Sequence, residues 1–190
     1  MNGSFFSPVK RTVLLPPGVV IYKGDICELK VDAIVTAGNT RLAGCGLKDH
    51  CIDAAVFSAA GPKLFDDCAR LGGCAVGQAK ITPGHLLPAK YVIHVVGPEL
   101  KRGQSPSAEH RRQLEEAYRN TLDLARRNGV KSIALCCVST GLFGFPKAEA
   151  CSIAVSTVKE QWDAFDQIVF CVFTDVDLEL YRSLLCTPSS

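Results

Sequence analysis

Two hydrophobic patterns alternate along this chain. Short apolar, β-branched runs predict strands at Thr12–Leu15, Val19–Lys23, Ala33–Thr36, Gln78–Thr82, Tyr91–Val96, Ser132–Val138 and Gln167–Phe173. The runs at 33–36, 91–96 and 132–138 carry little polar alternation, as expected of strands covered on both faces. Between them lie segments of helical period. Asp53–Ala60 is closed by Gly61-Pro62, and Lys63–Arg70 by Gly72-Gly73. In Ala108–Arg127, Leu114, Ala117, Tyr118, Thr121, Leu122 and Ala125 share one face before Asn128-Gly129. Pro146 opens a further helix as a first-turn proline, and Leu178–Leu185 forms the last. Strands alternating with helices predict an α/β fold, a three-layer α/β/α sandwich on a mixed, mostly parallel sheet. No repeat, low-complexity tract or linker divides it, so residues 1–190 read as one domain with its core at about 12–185.

Composition narrows the class of partner. A net charge of +2 and the absence of a concentrated Lys/Arg block argue against a dedicated nucleic-acid binder. The basic segment 101–112 is interrupted by Glu109 and continues to Glu115 and Glu116, a solvated loop and helix face. No apolar run is long enough to cross a membrane. Ten cysteines would suggest a disulfide scaffold in a short secreted chain. Here many sit inside apolar runs such as ALCCV and IVFCVF, with no apolar signal segment ahead of them, which predicts reduced, buried thiols in an intracellular protein. The cytoplasm is the expected compartment, an organelle stays open, and a monomer is expected.

Candidate chemistry sits in two loops that leave the C-terminal ends of apolar strands, where open α/β sheets bind ligands. The first, within 32–61, runs from Ala33–Val35 through Asn39 into a loop with Gly44 and Gly46, then enters a helix carrying Asp53 in its first turn. A glycine-rich loop ahead of a helix N-terminus suits a phosphate, because unpaired N–H groups and the helix dipole face it. The second, STGLFGF at 139–145, lets backbone N–H groups approach a diphosphate closely. Read alone, Asp25 after a glycine is a turn residue, Asp53 a helix cap and Phe173 a core aromatic.

Five segments together resemble a known family: GDIC-x-LKVDAIV, CIDAAVFSAAGP, GQAKITPGHLLPAKYVIHVVGP, SIALCCVSTGLFGFPKAEA and VFTDVDLELYRSLL. They are similar to the macrodomains, in particular to hydrolase-type macrodomains related to the human MacroD enzymes. Several segments are also similar to the zinc-dependent macrodomains of microbes. The resemblance covers about residues 20–185 and implies the macrodomain fold and an ADP-ribose ligand. On it, Asp25 would accept from the adenine amino group with Ile26 beside it, and Phe173 would stack on the adenine. Ser139, Thr140, Gly141, Leu142, Phe143 and Gly144 would cradle the diphosphate, with Phe145 against the distal ribose. Asn39 would hold the distal ribose hydroxyls and Asp53 would orient the attacking water. Ala37, Gly44, Gly46 and Ala54 would complete the contact surface.

The chain departs from that pattern in three places. Thr36 stands where hydrolase macrodomains usually carry the first Asn of Asn-Ala-Ala-Asn, and Phe57 where a His is common. The MacroD glycine run is replaced by Cys45-Gly46-Leu47-Lys48-Asp49-His50-Cys51. An ungapped alignment puts Asp49 in the catalytic place; an insertion before Ile52 puts Asp53 there and keeps the helix continuous. Cys45, His50 and Cys51 have the chemistry of a three-ligand zinc site with one open position, although the zinc-type family usually separates its His from the second Cys by one residue. Packed thiols beside an exposed His remain the other reading. The resemblance implies a hydrolase that removes mono-ADP-ribose from acidic side chains of proteins, with O-acetyl-ADP-ribose as a second ester substrate. A non-catalytic ADP-ribose reader is the alternative.

Overall fold

The computed structural model describes residues 15–46 and 51–186. Its strands are Val19–Lys23 (β1), Ala33–Ala37 (β2), Ala79–Pro83 (β3), Tyr91–Val95 (β4), Ser132–Leu135 (β5) and Gln167–Val172 (β6). They form one sheet in the order β1-β6-β5-β2-β4-β3, parallel throughout except for the antiparallel edge pair β3 and β4. The helices are Ile52–Ala60 (α1), Lys63–Arg70 (α2), Ala108–Arg127 (α3), Lys147–Lys159 (α4) and Asp175–Leu185 (α5). α1 and α2 pack together against β2 and β3, while α3, α4 and α5 lie side by side on the other layer. Ile34, Val92, Ile93, Ile133, Ala134 and Ile168 are almost wholly buried, so the unalternating apolar runs are indeed strands covered on both faces. This is the three-layer α/β/α sandwich that the pattern predicts.

The differences in element boundaries have local causes. β5 stops at Leu135 instead of running to Val138, because Tyr118 of α3 takes the next backbone groups. Its hydroxyl donates to the Cys136 carbonyl (3.2 Å) and accepts from the Val138 N–H (3.1 Å), drawing the chain off the ladder. α5 begins at Asp175, ahead of Leu178, because Thr174 and Asp177 form a reciprocal capping box. Pro146 is the N-cap of α4 and not its first-turn residue. α1 starts after Cys51, and Asp53 falls inside its first turn without capping it. The predicted strand at Thr12–Leu15 lies almost wholly outside the described residues.

Among the described residues eight cysteines are free thiols, buried or half-buried. Burial pushes Cys27, Cys68 and Cys151 up to about 12, so they behave as small apolar side chains. No helix among the described residues is long and apolar enough to cross a membrane.

Asp32 fixes the register at the N-terminal end of the sheet. Its carboxylate accepts from Lys90 Nζ (2.6 Å) and from the N–H groups of Lys131 (2.9 Å) and Ser132 (3.0 Å). Its own N–H donates to Ser132 Oγ (2.8 Å) and its carbonyl accepts from the Tyr91 N–H (2.9 Å). The residue entering β2 is therefore bonded to the residues entering β4 and β5. The Lys90 ammonium and the two amides hold the Asp32 carboxyl down at about 2, against an ordinary value of 3.8. A depressed carboxyl stabilises the fold above its unfolded pKa, and that contribution is lost as pH falls through the folded one. Asp32→Asn is expected to cost about 2 kcal/mol at pH 7. In urea titrations the difference from wild type should shrink between about pH 4 and pH 2; a difference independent of pH would overturn this account.

Candidate active site

β1, β2, β5 and β6 end side by side, and beyond their carboxyl ends opens a cleft of about 760 Å³. That volume is ordinary for a small-molecule or cofactor site. At one end, Asp25 caps the 3-10 turn Ile26–Glu28, its carboxylate accepting from the Cys27 N–H at 2.9 Å. Asp25 and Ile26 both line the cleft, so the turn role and a ligand-facing position coexist in one residue. Phe173 follows β6 and stands 79% exposed on the same wall, a flat apolar face that packs against nothing in the core. An exposed aromatic at a cleft wall is a stacking platform for a planar ring.

The second loop forms the middle of the cleft. Ser139 adopts the left-handed region (φ 66°), which turns the chain sharply after Val138. The turn needs Gly97 beneath it, since a Cβ there would come within 2.1 Å of Ser139 Oγ. Phe145 closes the loop with an N–H donated to the Ser139 carbonyl (2.9 Å). Among the described residues, the N–H groups of Gly141, Leu142 and Phe143 have no acceptor, and all three residues line the cleft. Consecutive unpaired amides form an anion-binding concavity. Side-chain charge contributes little here. Among the described residues, Lys147 is the one lysine or arginine that lines the cleft, and it is bound to Asp177 Oδ2 (2.9 Å) and Thr174 Oγ1 (3.1 Å). Asp25 and Glu99 also line the cleft, which leaves the backbone as the principal partner for a diphosphate.

The first loop supplies the other end. Asn39 spans its own turn: Nδ2 donates to the Gly44 carbonyl (2.8 Å) and Oδ1 accepts from the Arg41 N–H (3.0 Å). One N–H and one lone pair of the amide remain for a ligand hydroxyl. Asp53 has a different position from the one the resemblance implies. It is 1% exposed and stands a layer behind the cleft wall, against Gly38. A Cβ at Gly38 would meet its carboxylate at 3.3–3.5 Å, so the glycine makes room for the acid. Thr36 Oγ1 donates to Asp53 Oδ1 (3.2 Å), so the hydroxyl takes up a bond that a longer amide could otherwise make. Asp53 Oδ2 has no partner among the described residues. Burial raises the Asp53 carboxyl to about 6, with the Thr36 bond opposing the rise.

Several implied contacts fall elsewhere. Phe145 is 2% exposed and belongs to the core, because the turn at Ser139 swings it inward; Phe143 lines the cleft in its place. Gly44, Gly46, Ala54 and Gly144 are not on the wall, whereas Ile52 and Ala55 are, because helical spacing carries Asp53 and Ala54 to other faces of α1. Ala37, Ser139 and Thr140 do line it. Phe57 packs on Phe65 with ring centroids 4.4 Å apart, a core role. Sequence reading missed Lys147, Thr174 and Asp177, for which a lysine directly after Pro146 and the Thr-x-x-Asp capping pattern were the available signals.

Cys45 and Cys51 both line the cleft and are joined as a disulfide, which corrects the expectation that all thiols are reduced. Their loop ends lie side by side, which is what makes pairing possible. His50 and Asp49 lie outside the described residues. Zinc binds deprotonated thiolates, and two sulfurs bonded to each other offer none. In the disulfide form this pair offers a zinc ion no ligand, and no group of three metal-binding side chains occurs among the described residues, which do not include His50.

Comparison with known proteins agrees with the geometry. The Macro domain sequence pattern matches residues 35–154. The ADP-ribose glycohydrolase MACROD2 of Xenopus laevis is 47% identical over 171 residues, covering 88% of this chain and 40% of that protein. A protein-ADP-ribose hydrolase of Staphylococcus aureus (strain MSSA476) is 42% identical over 173 residues, 86% of this chain and 65% of that one. The chain thus spans about 40% of the length of the frog relative. Among solved structures, the Trypanosoma brucei macrodomain in complex with ADP-ribose superposes with a TM-score of 0.76 at 36% identity, covering 88% of this chain and 68% of that one.

The buried carboxyl has a measurable consequence. An acid whose folded pKa lies above its unfolded one binds an extra proton in the native state, so stability falls as pH rises through that window and then levels. With Asp53 at about 6 against 3.8, the window is roughly pH 4–6. Asp53→Asn keeps an acceptor for Thr36 and removes the charge. It is expected to gain about 2 kcal/mol of stability at pH 7.5 and almost nothing at about pH 4, read by urea unfolding at each pH. A loss of stability at pH 7.5 would overturn the assignment.

Proposed function

The chain belongs to the Macro domain family, and we propose that it hydrolyses the ester joining mono-ADP-ribose to acidic side chains of modified proteins. The observation that carries this reading is the cleft itself. It sets a stacking aromatic, three consecutive unpaired amides and a half-satisfied asparagine amide along one groove. That order matches adenine, diphosphate and distal ribose. The names of the frog and staphylococcal relatives, an ADP-ribose glycohydrolase and a protein-ADP-ribose hydrolase, support the same substrate class.

The chemistry follows from the parts. The 141–143 amides neutralise the diphosphate without mobile side chains and fix the distal ribose at the Asn39 end. Water attacks at the anomeric region. The carbon–oxygen bond to the acyl group breaks, and the carboxylate departs with the electron pair. The diphosphate, held close by, accepts the proton of the water. Asp53 acts as a positioning residue: its carboxylate fills the space behind Gly38 and sets the turn that presents Asn39. O-acetyl-ADP-ribose, an ester on the same sugar, is a second substrate in this reading. No step is routed through a metal.

Burial of Asp53 behind the wall favours one alternative, a reader that binds ADP-ribose without turnover. A target carrying glutamate-linked mono-ADP-ribose separates the two: release of label supports the hydrolase, and tight ADP-ribose binding without release leaves the reader. Asn39→Ala is expected to lower kcat/KM by about 100-fold while weakening ADP-ribose binding less than about tenfold. Equal losses in both would reduce Asn39 to a binding contact. Release is also expected to persist in a zinc chelator; activity abolished by chelation and restored by zinc would overturn the metal-free reading.

A further inference from the structure

We propose that Cys45 and Cys51 form a reversible thiol–disulfide clasp that sets the geometry of the distal-ribose end of the cleft. The proposal rests on the hydrolase reading for its effect on turnover, but not for the clasp itself. Cys45 directly follows Gly44, whose carbonyl accepts the Asn39 amide at 2.8 Å. Cys51 is the N-cap of α1, one residue before its first turn and two before Asp53. The disulfide therefore joins the arm that holds Asn39 to the helix that carries Asp53. Asp53 in turn backs Gly38 and is bonded to Thr36, which closes a circuit of contacts around the Asn39 turn. Cutting that cross-link leaves the two ends joined only through the backbone of residues 45–51, with hydrogen bonds and packing around it.

The pair is the one disulfide among the described residues, and so the one site there that a reductant can open. Both cysteines are half-buried and line the cleft, as do the free Cys136, Cys137 and Cys171. The eight free cysteines are buried or half-buried, and burial raises every one of their thiols above the ordinary value. Buried, protonated thiols exchange slowly. The exchange balances with a small-molecule thiol such as glutathione. Its thiolate attacks one sulfur of the pair, giving a mixed disulfide and releasing the other cysteine as a thiolate. A second glutathione attacks the mixed disulfide, leaving two cysteine thiols and one molecule of oxidised glutathione. Two electrons pass from glutathione to the protein, with two protons. The oxidised form is the preorganised one, since the clasp limits how far the Asn39 arm can move from α1.

The test equilibrates the full chain across ratios of reduced to oxidised glutathione, quenches with N-ethylmaleimide, and counts labels by mass spectrometry. ADP-ribose affinity and release from the glutamate-linked target are measured on the same samples. Cys45 and Cys51 should gain their two labels together as the ratio of reduced to oxidised glutathione rises, while labelling of the free thiols does not change with it. Over the same midpoint kcat/KM should fall by at least about threefold, with weaker ADP-ribose binding. Cys45→Ser/Cys51→Ser should show the reduced-form values at every ratio; if it does not fold, the wild-type titration alone decides. Labelling without change in rate or affinity, a faster reduced form, or labels at Cys45 and Cys51 that do not depend on the glutathione ratio would each overturn the clasp. If neither form releases ADP-ribose, the hydrolase reading fails, while paired labelling and the shift in affinity still decide the clasp.

Discussion

The carboxylate of Asp32 is the constraint on which the rest of the molecule depends. A parallel sheet has no tight hairpins to fix its register, so something else must align the strand starts. Here one acidic side chain takes two amides from the entry to β5 and an ammonium from the entry to β4, while its own backbone bonds to both. With the N-terminal ends level, the carboxyl ends of β2 and β5 come out together, and the two ligand loops emerge as neighbours. The cleft is thus built from the opposite end of the sheet.

At that end, the cleft offers an anion shape more than charge. Gly97 admits the left-handed turn at Ser139, Tyr118 peels Cys136 and Val138 from the ladder, and the amides of 141–143 are left without an acceptor among the described residues. Lys147, the one lysine on the wall among the described residues, is held by a carboxylate and a hydroxyl. A site made of backbone dipoles is already oriented before the ligand arrives, so little reorganisation is needed on binding. The same logic appears at Gly38 and Asp53, where a missing Cβ lets a buried acid support the turn that presents Asn39. Both ends of the cleft therefore use glycine to bring something rigid close.

Much of this was legible in the sequence because it rests on local rules. The apolar runs located all six strands of the described region, and α2 and α3 keep their predicted bounds because glycine and asparagine–glycine signals end them. What escaped reading depends on distant partners. Tyr118 shortens β5 from eighteen residues away in sequence, a contact no window along the chain contains. Asp53 was placed at the right helix turn but not at the right depth, because burial behind Gly38 is a property of the packed wall. Phe145 was assigned to the ligand by its motif and is turned inward by the conformation of Ser139. Cys45 and Cys51 looked like ligands for a metal because their residue types suit either fate; only their meeting in space distinguishes a bond from a coordination site.

The six buried free thiols have a consequence for the life of the folded molecule. While the sandwich is closed they are inert filler, shielded from oxidants by the same packing that makes them useful to the core. Once it opens, they reach water together, regain ordinary acidity and can pair in many wrong combinations. In an oxidising milieu such pairings compete with refolding, and a chain that pairs wrongly is held out of the fold. Its persistence there is governed by how rarely it opens, and the chemistry of its interior adds a hazard to each full opening.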